Sequence, residues 1–137
     1  MKLLKQIGCK LELTTISPSC EIDKKVSWIY VIQNDDNPIK FDKSKVGKWM
    51  LFIREEQVDE IWDKICRGVK TKNIWKAKVK PKSNLTKKEY PIIVYTYDYE
   101  DKDDVKRVLH YLLRNNLTLG KTIYYKLDKQ TRIKRIK

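Results

Sequence analysis

Val58, Ile61, Trp62, Ile65 and Cys66 fall at i, i+3, i+4, i+7 and i+8, which places them on one face of a helix over Glu55–Gly68. An apolar helix face has to be buried against another layer. Glu55, Glu56 and Asp59 crowd the first turn, where the helix dipole favours acids, and Gly68 reads as the C-cap. A second stripe, Val105, Val108, Leu109, Leu112 and Leu113, marks another one-faced helix over residues 102–115.

The other layer is supplied by strands. Ser27–Ile32 (SWIYVI), Lys48–Ile53 (KWMLFI) and Pro91–Asp98 (PIIVYTYD) are rich in aromatic and β-branched residues, and Ile74–Lys80 and Lys121–Leu127 extend the set. Asn34–Pro38 is a loop by composition, and a lysine-rich loop runs up to Tyr90. In residues 1–25, Leu11, Leu13 and Thr15 alternate with Glu12 and Thr14, so an edge strand or an arm is expected there. The order is β-β-α-β-β-α-β. It predicts a single α+β domain over residues 1–137, a mostly antiparallel sheet with both amphipathic helices packed on one face. The opposite face is left open, and a ligand would sit there. Residues 128–137 form a basic C-terminal tail.

Charge narrows what that ligand is. The chain of 137 residues has a net charge of +13, a field that attracts nucleic acid, nucleotides, phosphoproteins or acidic membranes. From Lys121 onward seven basic residues stand against one acid, Asp128. Cys9, Cys20 and Cys66 have no metal-type spacing, and with His110 as the single histidine a zinc site would be short of ligands. Neither metal nor cofactor is expected. Reduced cysteines suit a cytoplasmic protein. Lys2 and Lys5 precede an apolar run broken by Gln6, Lys10 and Glu12, too interrupted for a signal peptide, and no window approaches the ~20 apolar residues of a membrane span.

Alternation along the strands sorts the side chains. Lys48 and Met50 share one face, with Trp49, Leu51 and Ile53 on the other. Lys76, Lys78 and Lys80 share a face, with Trp75, Ala77 and Val79 opposite. Lysines interleaved with Trp28, Tyr30, Tyr95 and Tyr97 could hold phosphate oxygens and stack a base. The plainer alternative makes the tryptophans core and the lysines a solvated face. Trp62, inside the helix stripe, is core, and His110 belongs to the surface. No glycine-rich phosphate loop, nucleophile elbow, paired-histidine metal motif or Cys/His pair is present.

The run Gly47-Lys-Trp-Met-Leu-Phe-Ile-Arg-Glu-Glu-Gln-Val-Asp-Glu-Ile-Trp62, with Ala77-Lys-Val79, Ile93-Val-Tyr-Thr-Tyr-Asp98 and Tyr125…Thr131-Arg132, resembles a family of small proteins labelled as phosphothreonine-lyase-domain-containing. Their fold looks like that of the cap-binding translation initiation factor. The likeness covers about residues 27–135. It implies two chemistries. In the lyases a lysine removes the α-proton of phosphothreonine, a histidine protonates the departing phosphate, and basic residues clamp it. Lys78 would match the base, Lys48 a phosphate-binding lysine, and Arg132 with Arg135 the clamp. The histidine's place is Met50, whose thioether has no proton to give, and general acid catalysis is worth about 10²–10⁴-fold. In cap-binding proteins the same fold stacks a base between tryptophans and holds phosphates with Lys and Arg.

The leading expectation is therefore a non-catalytic binder of a nucleotide or nucleotide-derived signal. Lys48, Lys78, Lys126, Arg132 and Arg135 would serve the phosphates, and Trp28, Trp49, Trp75 or Tyr97 the base. The Lys-, Ile- and Asn-rich usage fits a phage or mobile-element protein, for which sequestering a host immune signalling nucleotide would be such a role. The alternatives are a phosphothreonine lyase acting by β-elimination with Lys78 as base, and a nucleic-acid-binding module driven by the basic tail. The Cys9–Cys20 segment leaves pairing into a homo-oligomer open.

Overall fold

The computed structural model describes residues 17–20, 26–34, 36–82, 85 and 88–129. The segment expected as an N-terminal strand or arm lies almost wholly outside these residues, as do Arg132 and Arg135. Strand β1 (Ile29–Ile32) leads through a loop and the short 3-10 turn Lys43–Lys45 into β2 (Gly47–Arg54). Helix α1 (Glu55–Lys70) follows, then β3 (Lys76–Val79), β4 (Glu89–Thr96), α2 (Lys102–Arg114) and β5 (Tyr124–Leu127). The five strands make one sheet in the order β1-β3-β4-β2-β5, and every neighbouring pair is antiparallel. The α+β architecture expected from the sequence is the one observed.

Both helices lie on one face. Ile29, Val31, Leu51, Ile53, Ala77, Val79, Ile92 and Val94 point toward them and pack against Val58, Ile61, Trp62, Ile65 and Val69 of α1 and Val108 and Leu112 of α2. β4, the central strand, is buried on both sides: Tyr90, Ile92 and Val94 face the helices, Ile93 and Tyr95 the opposite layer. One phenol ties the sheet to the helix layer, and a second ties the two helices to each other. The Tyr90 hydroxyl donates to Glu55 Oε1 at 3.1 Å, and the Tyr111 hydroxyl donates to the Lys64 carbonyl at 2.8 Å.

Three local expectations need correction. Gly68 does not cap α1: the helix runs on to Lys70, Thr71 is the C-cap, and Lys72 takes the left-handed backbone at φ 67°. Gly68 is glycine because the Tyr111 ring and Ile74 press against the place a Cβ would fill. The buried stripe of α2 is rotated from the expected one, running through Asp104, Val108, Tyr111 and Leu112, while Leu113 is 53% exposed. Anchoring of Tyr111 on α1 sets that rotation. Trp75 does not follow the alternation of β3. The ladder begins at Lys76, a bend precedes it, and Ile74 enters the helix-side core while Trp75 joins the opposite layer.

Candidate functional site

The face away from the helices carries a second, smaller apolar cluster of Val46, Trp75, Ile93 and Tyr95, with Trp28, Ile39, Met50 and Tyr97 packed against it. Lysines are set into this floor by strand register. One row crosses the sheet as Ile32, Lys76, Tyr95, Lys48 and Lys126, each opposite the next. The adjacent row reads Tyr30, Lys78, Ile93, Met50 and Tyr124. With neighbouring strands about 4.8 Å apart, Lys76, Lys48 and Lys126 span roughly 14 Å of backbone, with Tyr95 between the first two.

Aromatic rings hold the ammonium groups of β3. Lys76 Nζ lies 4.7 Å from the Tyr95 ring centroid and 5.1 Å from that of Trp75. Lys78 Nζ lies 4.1 Å from Trp28 and 5.8 Å from both Tyr30 and Tyr95, and Lys80 Nζ is 5.4 Å from Trp28. The ring quadrupole attracts a cation over its face, so these chains are directed over the sheet rather than left to sweep through solvent. Burial holds the Lys76 ammonium below the ordinary lysine value, with the charge of Asp128 opposing that loss.

Lys48 is the most enclosed cation of the face, 5% exposed. Its Nζ donates to Asp128 Oδ1 at 3.0 Å. Lys126, its neighbour in the row, is half-buried.

Trp75 is buried, tilted against Phe41 at 4.9 Å between centroids and edge-on to Tyr97 at 6.3 Å. The Tyr97 hydroxyl donates to Asp101 Oδ2 at 2.9 Å, and burial together with that bond pushes its phenol up to about 12. Trp28 is half-buried under Lys78 and Lys80, whereas Tyr30 is half exposed and Tyr124 more so. Trp49 stands apart from all of these. It points to the helix side, donates from Nε1 to the Val105 carbonyl at 3.4 Å and packs against Tyr125 at 4.9 Å. A base on the lysine face cannot reach it, because strand alternation turns it away from Lys48.

The structure thus brings Lys48, Lys78, Lys126, Trp28, Trp75 and Tyr97 onto one side of the sheet. It adds Lys76, Tyr95 and Tyr30, which belong to the expected lysine–aromatic interleaving but not to the ligand-binding set drawn from it, and Asp128, which was in neither. Lys76 was within reach of that reading, since it alternates in phase with Lys78; Tyr95 needed the β3–β4 register. Met50 shares a row with Lys78 but has no proton to give, and His110 is exposed on α2 in the other layer. Among the described residues no group of three or more His, Cys, Asp or Glu side chains could hold a metal ion, and no helix is long and apolar enough to cross a membrane.

Residues 41–134 match the family model described as basophilic leukemia-expressed protein Bles03. The chain belongs to the Bles03 family. No curated protein matches it by sequence. Among solved structures, it resembles Caenorhabditis elegans eIF4E-3 in complex with the 4E-binding protein Mextli and cap analog, with a TM-score of 0.57 and 18% identity, over 77% of this chain and 65% of that one. Ascaris suum eIF4E-3 with m2,2,7G cap gives 0.53 and 18%, over 74% of this chain and 62% of that one. A schistosome eIF4E complexed with m7GpppA and 4E-BP gives 0.56 and 17%, over 82% and 67%. The chain of this Bles03-family protein spans less than two thirds of the length of the two eIF4E-3 proteins. At such identities the likeness shows the fold, which is that of the cap-binding initiation factors. The phosthothreonine-lyase label is carried by none of the matches named here.

Proposed function

We propose that this Bles03-family chain binds a phosphorylated, nucleotide-type ligand on the open face of its sheet and leaves it chemically unchanged. The observation that carries this reading is the row Lys76–Tyr95–Lys48–Lys126 with Lys78 beside it. Ammonium groups act as point charges toward phosphate oxygens, and here they are spread over a span that one phosphate group would not fill. Between and around them lie aromatic rings, and Trp28 and Tyr30, both beside the Lys78 ammonium, would meet a base. Lys48, Lys76, Lys78 and Lys126 would take the phosphates. Trp75, buried among Phe41 and Tyr97, would support the floor rather than stack. The solved structures of the same fold carry cap analog, m2,2,7G cap or m7GpppA, which supports a nucleotide as the ligand class.

Lyase chemistry at Lys78 would need an acid near the position of Met50, and that side chain cannot be one. Retention without cleavage is what a lysine face of this kind does best. It is also the common element of a reader of a nucleotide signal and of a sponge that sequesters one.

The test is native mass spectrometry with a panel of nucleoside mono-, di- and triphosphates, m7GpppA, cyclic nucleotides, ADP-ribose and a phosphothreonine peptide. A nucleotide retained at unchanged mass, and lost in Lys78→Ala with the protein still folded, is the expected result. Retention of no nucleotide would overturn the reading, and a peptide shortened by the mass of phosphoric acid would replace it with the lyase.

A further inference from the structure

A lysine is almost never fully buried unless it is paired, because its charge loses hydration it must recover elsewhere. Lys48 recovers it from Asp128, whose carboxylate sits at 3.0 Å from Nζ. The two partners are unequally enclosed: the Lys48 side chain is 7% exposed and that of Asp128 24%. Asp128 is therefore the more accessible member of the pair. Its charge also acts on Lys76, which stands two strands from Lys48 in the row. An anion is already held at the centre of the lysine face, and it belongs to the chain.

Taking the face as a phosphate-binding surface, on which this rests, we infer that the Asp128 carboxylate occupies the anion position of the site and that a phosphorylated ligand reaches Lys48 by displacing it. Displacement needs only a side-chain rotation. The Asp128 backbone N–H donates to the Val46 carbonyl at 2.9 Å, which continues the β5–β2 ladder one residue past the Gly47–Leu127 pair and holds the main chain in place. An incoming anion beside Asp128 is repelled by its like charge, so Lys48 serves one of them best at a time.

Asp128 is then a specificity-determining residue. A monoanion replaces one carboxylate with an equal charge and gains little. A terminal phosphate group carries a charge of about −1.5 to −2 at pH 7 and gains from Lys48, Lys76 and Lys126 together. The built-in carboxylate sets a threshold that rejects simple monoanions and admits phosphates.

Isothermal titration calorimetry with inorganic pyrophosphate tests this on the full chain, comparing wild type, Asp128→Asn, Asp128→Glu and Glu60→Gln. Glu60 is an exposed acid on α1, in the layer behind the sheet, so its variant controls for the overall field. Asp128→Asn should bind about tenfold more tightly than wild type, or bind where wild type does not, with Asp128→Glu, which keeps the carboxylate, binding less tightly than Asp128→Asn, and Glu60→Gln near wild type. Asp128→Asn binding no tighter than a wild type that does bind would overturn the displacement while the nucleotide reading stands. Failure of both pyrophosphate and the nucleotide panel to bind any of the four proteins would remove both. Should Asp128→Asn not fold, the Lys48 ammonium resonance of wild type decides: a shift when pyrophosphate binds supports the displacement, and bound pyrophosphate with an unmoved Lys48 overturns it.

Discussion

Lys48 and Lys126 stand directly opposite each other in the β2–β5 ladder, two like charges where a cross-strand pair would ordinarily be complementary. Such a pair costs about 0.2–1 kcal/mol, a cost that Asp128 offsets on the Lys48 side. The arrangement gives up stability at a place where an anion would be gained. Lys126→Ala is accordingly expected to raise the melting temperature slightly at low salt, by the equivalent of about 0.5 kcal/mol, while weakening nucleotide binding. Scanning calorimetry with and without ligand checks both parts. A variant less stable and equally competent in binding would refute them.

The tryptophans divide by face, and their variants should divide in the same way. Trp49→Ala removes a ring packed between α2 and Tyr125 and should cost about 3 kcal/mol, with little change in ligand affinity once the fold is intact. Trp28→Ala removes a half-buried ring under Lys78 and Lys80, so its effect should fall mainly on affinity. Urea unfolding paired with calorimetric titration separates the two outcomes. Equal losses of affinity in both variants would show that the faces are not functionally distinct.

The sequence made much of this legible. Helix periodicity located α1 and α2, and strand alternation correctly put Lys48 with Met50 and Lys76 with Lys78. Four things were hidden. Which strand lies beside which is a long-range choice, so the row that aligns Lys76, Tyr95, Lys48 and Lys126 could not be read from any one segment. The bend before Lys76 breaks the period of two and sends Trp75 to the other face, which local alternation cannot signal. The rotation of α2 depends on Tyr111 reaching the Lys64 carbonyl, 47 residues away in the chain. Asp128 looked like a stray acid in a basic run, because its partner Lys48 is 80 residues distant.

Gly68 offers a test of packing against propensity. Glycine to alanine in a helix interior ordinarily stabilises by about 1 kcal/mol. Here the added methyl would meet the Tyr111 ring and Ile74, at the contact where α2 and the α1–β3 loop close on α1. Gly68→Ala should instead destabilise by about 1–3 kcal/mol. Chemical denaturation gives the sign directly, and a more stable variant would mean that the ring moves aside without cost.

Asp104 gives a pH dependence whose sign can be worked out. The residue is 2% exposed, and its carboxylate accepts from Arg107 at one oxygen and has no hydrogen-bond partner at Oδ2 among the described residues. Burial raises its pKa above the usual 3.8, the nearby Arg107 only partly opposing. A carboxyl with a raised folded-state value binds its proton more tightly in the folded state than in the unfolded one. Its ionisation therefore weighs against folding: the penalty is absent below about 3.8 and fully present once the pH has passed the folded-state value. Asp104→Asn should then be favoured over wild type at neutral pH, and the advantage should shrink as the pH falls toward 3.8. Melting temperatures of the two proteins between pH 7 and 4, compared as a difference at each pH, measure it. A difference that stays constant or grows on acidification would mean that Arg107 compensates the buried charge in full, and that Asp104 is an asset to the fold rather than a cost.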